Sequence, residues 1–271
     1  MTILQYIILG IIQGITEPLP ISSSGHLIIF QELFNTNMFN DLNFEIVVNF
    51  GSFLAILFIF RKDISKLVKD FFSHLFSKDE KEKKKAGVGF KYVLLVAVGS
   101  IPIGLTGFLF KDTLENFNSV RLVGISLLIT ALALVIIRNI KGNKEDKDIT
   151  YLDAILIGLL QGIAIIPGIS RSGIVLVGCL LRDFKREVAL KYTFMLYFPV
   201  SIAAMGMGVF DLIKDGNLNE VLIPYLLGMI AAGIVTYFTF LILREMVKRG
   251  KLWKFAIYCA AVGLFVLYFF R

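Results

Sequence analysis

The sequence predicts an all-α integral membrane protein that is built as an inverted-topology repeat, with six transmembrane helices and two re-entrant helix hairpins. Three observations lead to this prediction: an apolar composition, basic residues confined to a few segments, and a polar motif that occurs twice. Of the 271 residues, 56 % are hydrophobic, and the mean hydropathy is +0.77. A water-soluble globular domain does not reach such values, so a soluble protein is excluded.

The apolar residues fall into blocks, most of which have the length of about 20 residues that crosses a bilayer as a helix. The alternation at period two that marks a membrane barrel does not occur. The first block has no basic residues before it, so we expect it to be retained rather than removed as a signal peptide. The blocks comprise residues 3–30, 44–60, 92–110, 120–137, 151–181, 192–213, 221–243 and 253–270.

The net charge of +7 is unevenly distributed, because 23 of the 28 Lys and Arg residues lie in four segments: 61–91, 138–147, 182–191 and 244–254. The positive-inside rule places these segments in the cytoplasm and indicates a multi-pass membrane protein. We interpret 61–91 as a basic cytoplasmic loop next to anionic membrane lipid, and we expect no nucleic-acid binding.

The polar block 151–181 lies between two basic segments, so it begins and ends on the cytoplasmic side and cannot cross the membrane. The block 3–30 is followed by a segment, 31–43, that contains no Lys or Arg and is therefore expected outside. Both blocks carry helix-breaking residues at their centres: Pro18, Pro20, Pro167 and Gly168. We predict that each block forms a re-entrant hairpin and that six helices span the bilayer.

An internal repeat relates the two hairpins. A shift of 148 residues aligns "GIIQGITEPLPISSSG" (10–25) with "GLLQGIAIIPGISRSG" (158–173), and eight of the sixteen positions are identical. Each copy is a hairpin followed by three spans, an odd number, so the second copy is expected to insert upside down. The prediction is one membrane domain over 1–271, with a first repeat over 1–138 and a second over 151–271.

The first hairpin carries residues suited to acid/base, metal and nucleophilic chemistry. Gln13 and Glu17 are four residues apart and share a helix face. Glu17 could hold a divalent cation, Mg²⁺ or Ca²⁺, with Gln13 as a second oxygen ligand, or could act as an acid/base. His26 could activate a nucleophile or protonate a leaving group. The candidate hydroxyls are those of Ser22, Ser23 and Ser24.

The second hairpin carries residues suited to an anion. Arg171 can grip phosphate oxygens in bidentate fashion, and at membrane depth its guanidinium requires an anionic partner. Hydroxyls and glycines at the start of a returning half-helix bind anions through free N–H groups and the helix dipole. These residues are Ser170, Ser172, Gly168 and Gly173. Together with the first hairpin, they predict a phosphoryl-transfer site.

Structural interpretations compete with each of these roles. Serines after a turn are ordinary helix caps, His26 could be a packing residue, and Glu17 could pair with Arg171 as a structural bridge. Glu45 lies at the outer end of a span, where a carboxylate costs little. We interpret the aromatic residues as lipid contacts and interfacial anchors only.

The run "QGITEPLPISSSGHL" resembles the first signature of the undecaprenyl-diphosphate phosphatases, the UppP/BacA family, and "PGISRSG" resembles the second. The similarity extends through "FEIVVNFGSFLAILFIFRKD" and "REVALKYTFMLYFP", so it covers essentially the whole chain. Val175 departs from the second signature, which ends in threonine.

The resemblance implies a bacterial plasma-membrane enzyme that converts undecaprenyl diphosphate into undecaprenyl phosphate and inorganic phosphate. This reaction recycles the lipid carrier of peptidoglycan synthesis and confers bacitracin resistance. The resemblance further implies a divalent-cation requirement and a site open to the outer face. By this resemblance, Glu17 and Gln13 match the acidic motif of the family. Ser23 matches its nucleophile, and His26 matches the histidine of the first signature. The resemblance gives Arg171, Ser170 and Ser172 the role of binding the diphosphate.

Three alternatives stay open from the sequence. The nucleophile is either Ser23 or His26. The inverted repeat also suits a transporter or flippase of lipid phosphates. The chain is either a monomer or a homodimer.

Overall fold

The computed structural model describes residues 3–33, 42–109, 119–215 and 218–270. Within these ranges the regular structure is helical, apart from one isolated bridge between Lys144 and Phe184. The helices are α1 (Ile3–Thr16), α2 (Ser23–Leu33), α3 (Leu42–Phe76), α4 (Glu80–Leu109), α5 (Val120–Ile136), α6 (Tyr151–Ile163), α7 (Arg171–Leu181), α8 (Arg186–Asp215), α9 (Leu218–Lys248) and α10 (Trp253–Phe269). A 3₁₀ turn, Asp146–Asp148, precedes α6.

Four helices are long and apolar enough to cross a membrane: α3, α4, α8 and α9. Helices α5 and α10 are apolar but have 17 residues each, which is the lower end of the length that spans a bilayer, about 17 to 25 residues. An all-helical, multi-pass membrane protein is therefore confirmed, and the number of six spans stays a prediction.

The segment 61–91 differs from the expected loop, because it is helical apart from the short turn at Ser77–Asp79. Helix α3 continues to Phe76, and α4 begins at Glu80. Most residues of this segment, including its lysines, are good helix formers, and apolar residues between the charges pack the two helices together. The rings of Phe71 and Phe90 stack with their centroids 5.4 Å apart. The basic segment is therefore a helical hairpin rather than an irregular loop.

Each polar block forms a pair of short helices around a proline-containing turn, α1 with α2 and α6 with α7. The missing N–H of proline ends the first helix of each pair. Helix α2 begins at Ser23 and α7 at Arg171, so the helices start 148 residues apart, as the repeat requires. The preceding serines act alike: Ser22 Oγ accepts from the N–H of Gly25 at 3.2 Å, and Ser170 Oγ accepts from that of Gly173 at 3.1 Å.

Several of the closest helix pairings are preserved when the two repeats are exchanged. Helix α1 packs on α9, α6 packs on α4, and α5 packs on its repeat counterpart α10. Glycines allow backbones to touch at these interfaces, since a Cβ on Gly10 would overlap the Gly228 carbonyl and one on Gly158 the Gly99 carbonyl. A two-fold relation between the repeats produces such a pattern. The repeat boundaries themselves stay predictions.

The tips of the two hairpins touch each other. A Cβ on Gly25 would lie 2.9 Å from Cα of Gly168, and Ser172 Oγ donates to the Leu19 carbonyl at 3.2 Å. Gly168 has a φ of +90°, which favours glycine. Its Cβ position is also filled by Ser126 of α5, only 2.6 Å away. The turn of the second hairpin therefore requires glycine at residue 168.

A buried carboxylate anchors the polar end of the second hairpin. The side chain of Asp153 is fully buried and forms ion pairs with Lys144 at 2.8 Å and Arg182 at 2.6 Å. It also accepts from the backbone N–H and the hydroxyl of Thr150 in a capping box. Burial alone would raise the pKa of Asp153, but these hydrogen bonds outweigh it and lower the pKa to about 2.

We predict that Asp153→Ala lowers the free energy of unfolding by about 3 kcal/mol, because two cations and a helix cap lose their partner. The unfolding midpoint in detergent, measured at one heating rate, should fall by several degrees. Because folding depresses the pKa of Asp153, its stabilisation is full above its ordinary pKa of 3.8 and is lost as the pH falls towards about 2. Glu187→Ala is the control, since Glu187 pairs with Lys248 on the surface. It should change stability by under about 1 kcal/mol. Equal losses of stability in the two variants would contradict the role of Asp153 as an anchor of the second hairpin.

We predict that Gly168→Ala separates the hairpin tips, because the methyl group meets Ser126 and the backbone conformation disfavours alanine. The expected result is a lower unfolding midpoint and at least about a tenfold loss of phosphate release, the activity that the resemblance implies. The control is Gly104→Ala, at a helical glycine whose Cβ position has no atom within 4 Å. It should leave both quantities unchanged or raise stability slightly. A wild-type midpoint for Gly168→Ala would exclude the tip contact.

Candidate active site

The carboxylate of Glu17 is the centre of the site, where the two hairpins meet. Its side chain is 7 % exposed. Oε1 accepts from Nη2 of Arg171 at 3.0 Å, across the boundary between the hairpins. Oε2 accepts from Oγ of Ser23 at 2.6 Å and from Nε2 of Gln13 at 2.9 Å. One carboxylate therefore orders the candidate nucleophile, the candidate cation-binding amide and the candidate phosphate-binding guanidinium.

Ser23 is the first residue of α2, and its hydroxyl lies at the end of the helix where N–H groups are free. The Ser23–Glu17 distance of 2.6 Å is typical of a hydroxyl that donates to an ionised carboxylate. In this position Glu17 can accept the hydroxyl proton directly, and the serine oxygen stays at the helix end. A nucleophile and its general base require a contact of this kind.

Arg171 takes the equivalent first position of α7. Its guanidinium lies over the ring of Tyr197, 4.7 Å from the centroid, an arrangement that favours a cation. The group has five N–H donors. Arg171 can therefore bind Glu17 through Nη2 and direct other donors to a phosphate oxygen. Glu17 is therefore the anionic partner that the sequence predicts for Arg171.

The two tips line one cavity of about 250 Å³. The hydroxyls of Ser170 and Ser172 lie 3.3 Å apart on one side, and those of Ser22 and Ser24 lie 3.5 Å apart on the other. Apolar groups, such as Ile103 and Phe194, complete the wall. The cavity is thus polar where the helix ends meet and apolar beside them. The predicted residues that line it are Glu17, Ser22, Ser23, Ser24, Ser170, Arg171 and Ser172.

The other predicted residues lie behind this lining. Gly168 packs on α5, and Gly173 packs against Ser170 and Pro20, so these glycines shape the second tip. Gln13 is 1 % exposed and reaches the site through its contact with Glu17. His26 is 4 % exposed.

Both ring nitrogens of His26 have partners. Nδ1 lies 2.8 Å from the carbonyl oxygen of Ser22, and Nε2 lies 2.8 Å from the hydroxyl of Tyr258. The His26 and Tyr258 rings are nearly parallel, with an angle of 9° between them. His26 therefore contacts the turn that carries Ser23, with neither nitrogen left for a substrate in this arrangement.

Oxygen donors for a hard cation surround Glu17. Nε2 of Gln13 also donates to Oδ1 of Asn49, whereas Oε1 of Gln13 is buried and has no hydrogen-bond partner among the described residues. Glu45 and Asn49 of α3 line the same cavity. Within the described part of the chain, no group of three or more His, Cys, Asp and Glu is placed to hold a metal. The donor set that fits Mg²⁺ or Ca²⁺ is therefore a mixture of carboxylate and amide oxygens.

Three residues of the site were missed from the sequence: Asn49, Tyr197 and Tyr258. A signal existed for Asn49, because Glu45 and Asn49 repeat the four-residue spacing of Gln13 and Glu17 in another apolar helix. The interpretation of aromatic residues as lipid contacts alone is wrong for the two tyrosines, which contact Arg171 and His26. Nothing in their local sequence distinguishes them from lipid-facing aromatic residues.

Comparison with known proteins places this site in a family. The model of the family described as bacitracin resistance protein BacA matches residues 6–265. The matched range contains every residue of the cavity described above.

Curated relatives resemble the chain over almost its full length. An undecaprenyl-diphosphatase of Oceanobacillus iheyensis is 44 % identical over 271 residues, which cover 99 % of this chain and 97 % of the relative. Undecaprenyl-diphosphatase 2 of Bacillus thuringiensis is 42 % identical, with 98 % and 97 % covered. Undecaprenyl-diphosphatase 1 of Bacillus licheniformis is 39 % identical, with 99 % and 98 % covered. With its hairpins, its cavity and this similarity, the chain belongs to the bacitracin resistance protein BacA family.

Proposed function

We propose that the protein hydrolyses undecaprenyl diphosphate to undecaprenyl phosphate and inorganic phosphate, thereby recycling the carrier lipid of peptidoglycan synthesis and conferring resistance to bacitracin. The observation that carries the proposal is the 2.6 Å hydrogen bond from Ser23 to Glu17, with Arg171 bound to the same carboxylate. A nucleophile, its base and an anion-binding cation meet at two helix ends, which is more than passive binding requires. The names of the relatives support the substrate.

The second hairpin binds the terminal phosphate. Arg171 directs its remaining N–H donors to the phosphate oxygens, and the free N–H groups of the first turn of α7, which begins at Arg171, add to the attraction for an anion. The hydroxyls that line the cavity donate further hydrogen bonds; they belong to Ser22, Ser24, Ser170 and Ser172. The prenyl chain enters from the side, along the apolar wall.

The first hairpin performs the substitution. Ser23 Oγ attacks the terminal phosphorus while its proton passes to Glu17, and the bond from that phosphorus to the bridging oxygen breaks. Undecaprenyl phosphate leaves with the bridging oxygen, which takes the proton from Glu17. Water then attacks the phosphoserine while the deprotonated Glu17 takes a proton from the water, and the bond from phosphorus to Ser23 Oγ breaks. Glu17 returns this proton to Ser23 Oγ, and inorganic phosphate is released. The alternative nucleophile, His26, has weaker support, because its nitrogens are directed at Ser22 and Tyr258.

We propose that a Mg²⁺ or Ca²⁺ binds beside Glu17, with Gln13 as a further ligand. The buried, unpaired Oε1 of Gln13 supports this assignment, and Glu45 and Asn49 add oxygen donors in the same cavity. When bound, the cation neutralises charge on the diphosphate.

We further propose that the protein spans the bacterial plasma membrane six times, with α1–α2 and α6–α7 as re-entrant hairpins and the site open to the outer face. The exchange symmetry of the packing supports an inverted repeat. The same symmetry favours the second candidate function, a transporter or flippase of lipid phosphates.

An assay without compartments separates hydrolysis from transport. We predict that purified protein in detergent releases phosphate from a prenyl diphosphate, and that EDTA reduces the rate by at least about 100-fold. Excess Mg²⁺ or Ca²⁺ should restore it. Phosphate release, measured with and without EDTA, is the readout. An absence of release in detergent, combined with movement of lipid phosphate in vesicles, would favour transport.

We predict that Ser23→Ala and Glu17→Gln each lower kcat by about 100-fold or more, because one removes the nucleophile and the other its base. Steady-state phosphate release gives kcat and KM. The control is Ser100→Ala, since the hydroxyl of Ser100 donates to the Val96 carbonyl within α4. It should stay within about twofold of wild type. Near-full hydrolysis by Ser23→Ala would exclude this nucleophile.

A further inference from the structure

We propose that His26 is a positioning residue which, together with Tyr258, holds the backbone of Ser22 in a strained turn and thereby aims Ser23 at Glu17. This inference deepens the proposed function and rests on it for the role of Ser23. We call the contacting residues Ser22, His26 and Tyr258 the Ser22 brace.

The turn at Ser22 has an unfavourable backbone conformation. Ser22 has a φ of +69°, in the left-handed region that residues other than glycine rarely adopt. Surrounding contacts therefore have to hold Ser22 in this conformation. Its neighbour Ser23 bears the hydroxyl at 2.6 Å from Glu17. Relaxation of Ser22 to an ordinary conformation would turn Ser23 away from the carboxylate.

The second hairpin provides an internal comparison. Ser170, the repeat counterpart of Ser22, has an ordinary φ of −72°. The counterpart of His26 is Ile174. Both helices begin with the same backbone hydrogen bond, from His26 N–H to the Ser22 carbonyl and from Ile174 N–H to the Ser170 carbonyl. In the first hairpin, whose turn is strained, the side chain of His26 adds a second hydrogen bond to the Ser22 carbonyl. Ile174 cannot form such a bond in the second hairpin.

Tyr258 fixes the orientation of the imidazole. A carbonyl oxygen can only accept, so Nδ1 of His26 carries the proton that binds Ser22, and in the neutral ring Nε2 accepts from the hydroxyl of Tyr258. The next residue, Cys259, donates to the carbonyl of Pro20 at 3.7 Å. Helix α10 therefore contacts both His26 and the turn before Ser22.

His26→Asn tests the brace, because the Nδ2 amide of asparagine can take the place of Nδ1 but offers no nucleophile or acid/base. We expect His26→Asn to keep kcat within about fivefold of wild type, and His26→Ala to lose about 30-fold or more with KM little changed. Tyr258→Phe should lower kcat by about threefold to tenfold. Tyr151→Phe, which removes a hydroxyl from an exposed ring of α6, should behave as wild type.

A second measurement does not depend on turnover. Ser23→Cys is treated with a methanethiosulfonate reagent, and the rate of mixed-disulfide formation is compared in Ser23→Cys alone and combined with His26→Asn or His26→Ala. The native thiols, Cys179 and Cys259, are buried, and wild-type protein measures their background. We expect His26→Ala to change the rate severalfold and His26→Asn to leave it near that of Ser23→Cys alone.

Equal losses of about 100-fold in both His26 variants would overturn the proposal in favour of a catalytic imidazole. Wild-type kcat and labelling in all variants would overturn it as well. If wild-type protein releases no phosphate, the proposed function fails, and the labelling rates alone decide the brace. Unfolding midpoints of all variants identify any that fail to fold, in which case the comparison of Tyr258→Phe with Tyr151→Phe decides.

Discussion

The ion pair between Glu17 and Arg171 is the interaction on which the site depends, because it joins the two hairpins through residues that are 154 apart in sequence. The carboxylate of Glu17 is only 7 % exposed, so the loss of its cationic partner would leave an uncompensated buried charge, which is strongly destabilising. Each hairpin therefore requires the other in place. The same carboxylate orders Ser23 and Gln13, so the pairing that stabilises the tips also assembles the chemical groups.

The repeat explains both the similarity and the difference between the tips. Ser22 and Ser170 cap their helices with equivalent side-chain hydrogen bonds, which satisfy free N–H groups at each helix start, although their backbone φ angles differ. The next position differs: Ser23 in one hairpin and Arg171 in the other, and both point to Glu17. In the mechanism that we propose, equivalent positions of the two repeats therefore have different roles.

Local and periodic features of the structure were predictable from the sequence. Apolar blocks predicted the helices, and prolines predicted the turns. The alignment of Gly10–Gly25 with Gly158–Gly173 predicted which residues of the two tips are equivalent. The partners of single side chains were not predictable. Tyr258 lies 232 residues from His26 and Tyr197 lies on a separate helix from Arg171, so only the packing of the helices brings them together. The continuation of α3 beyond the apolar block was not predicted, because the charged residues there indicate exposure to water. Charged residues do not prevent a helix.

The contact between Gly25 and Gly168 also bears on the permeability of the membrane. In the re-entrant arrangement that we propose, two half-helices end inside the bilayer and interrupt its hydrocarbon barrier to water and protons. Because both contact positions are glycine, the backbones meet without a gap for side chains, and Thr130 donates to the Gly168 carbonyl behind them. In that proposed arrangement, the close backbone contact would allow the tips to present a polar cavity to a lipid headgroup while limiting the leakage of ions between the two half-helices.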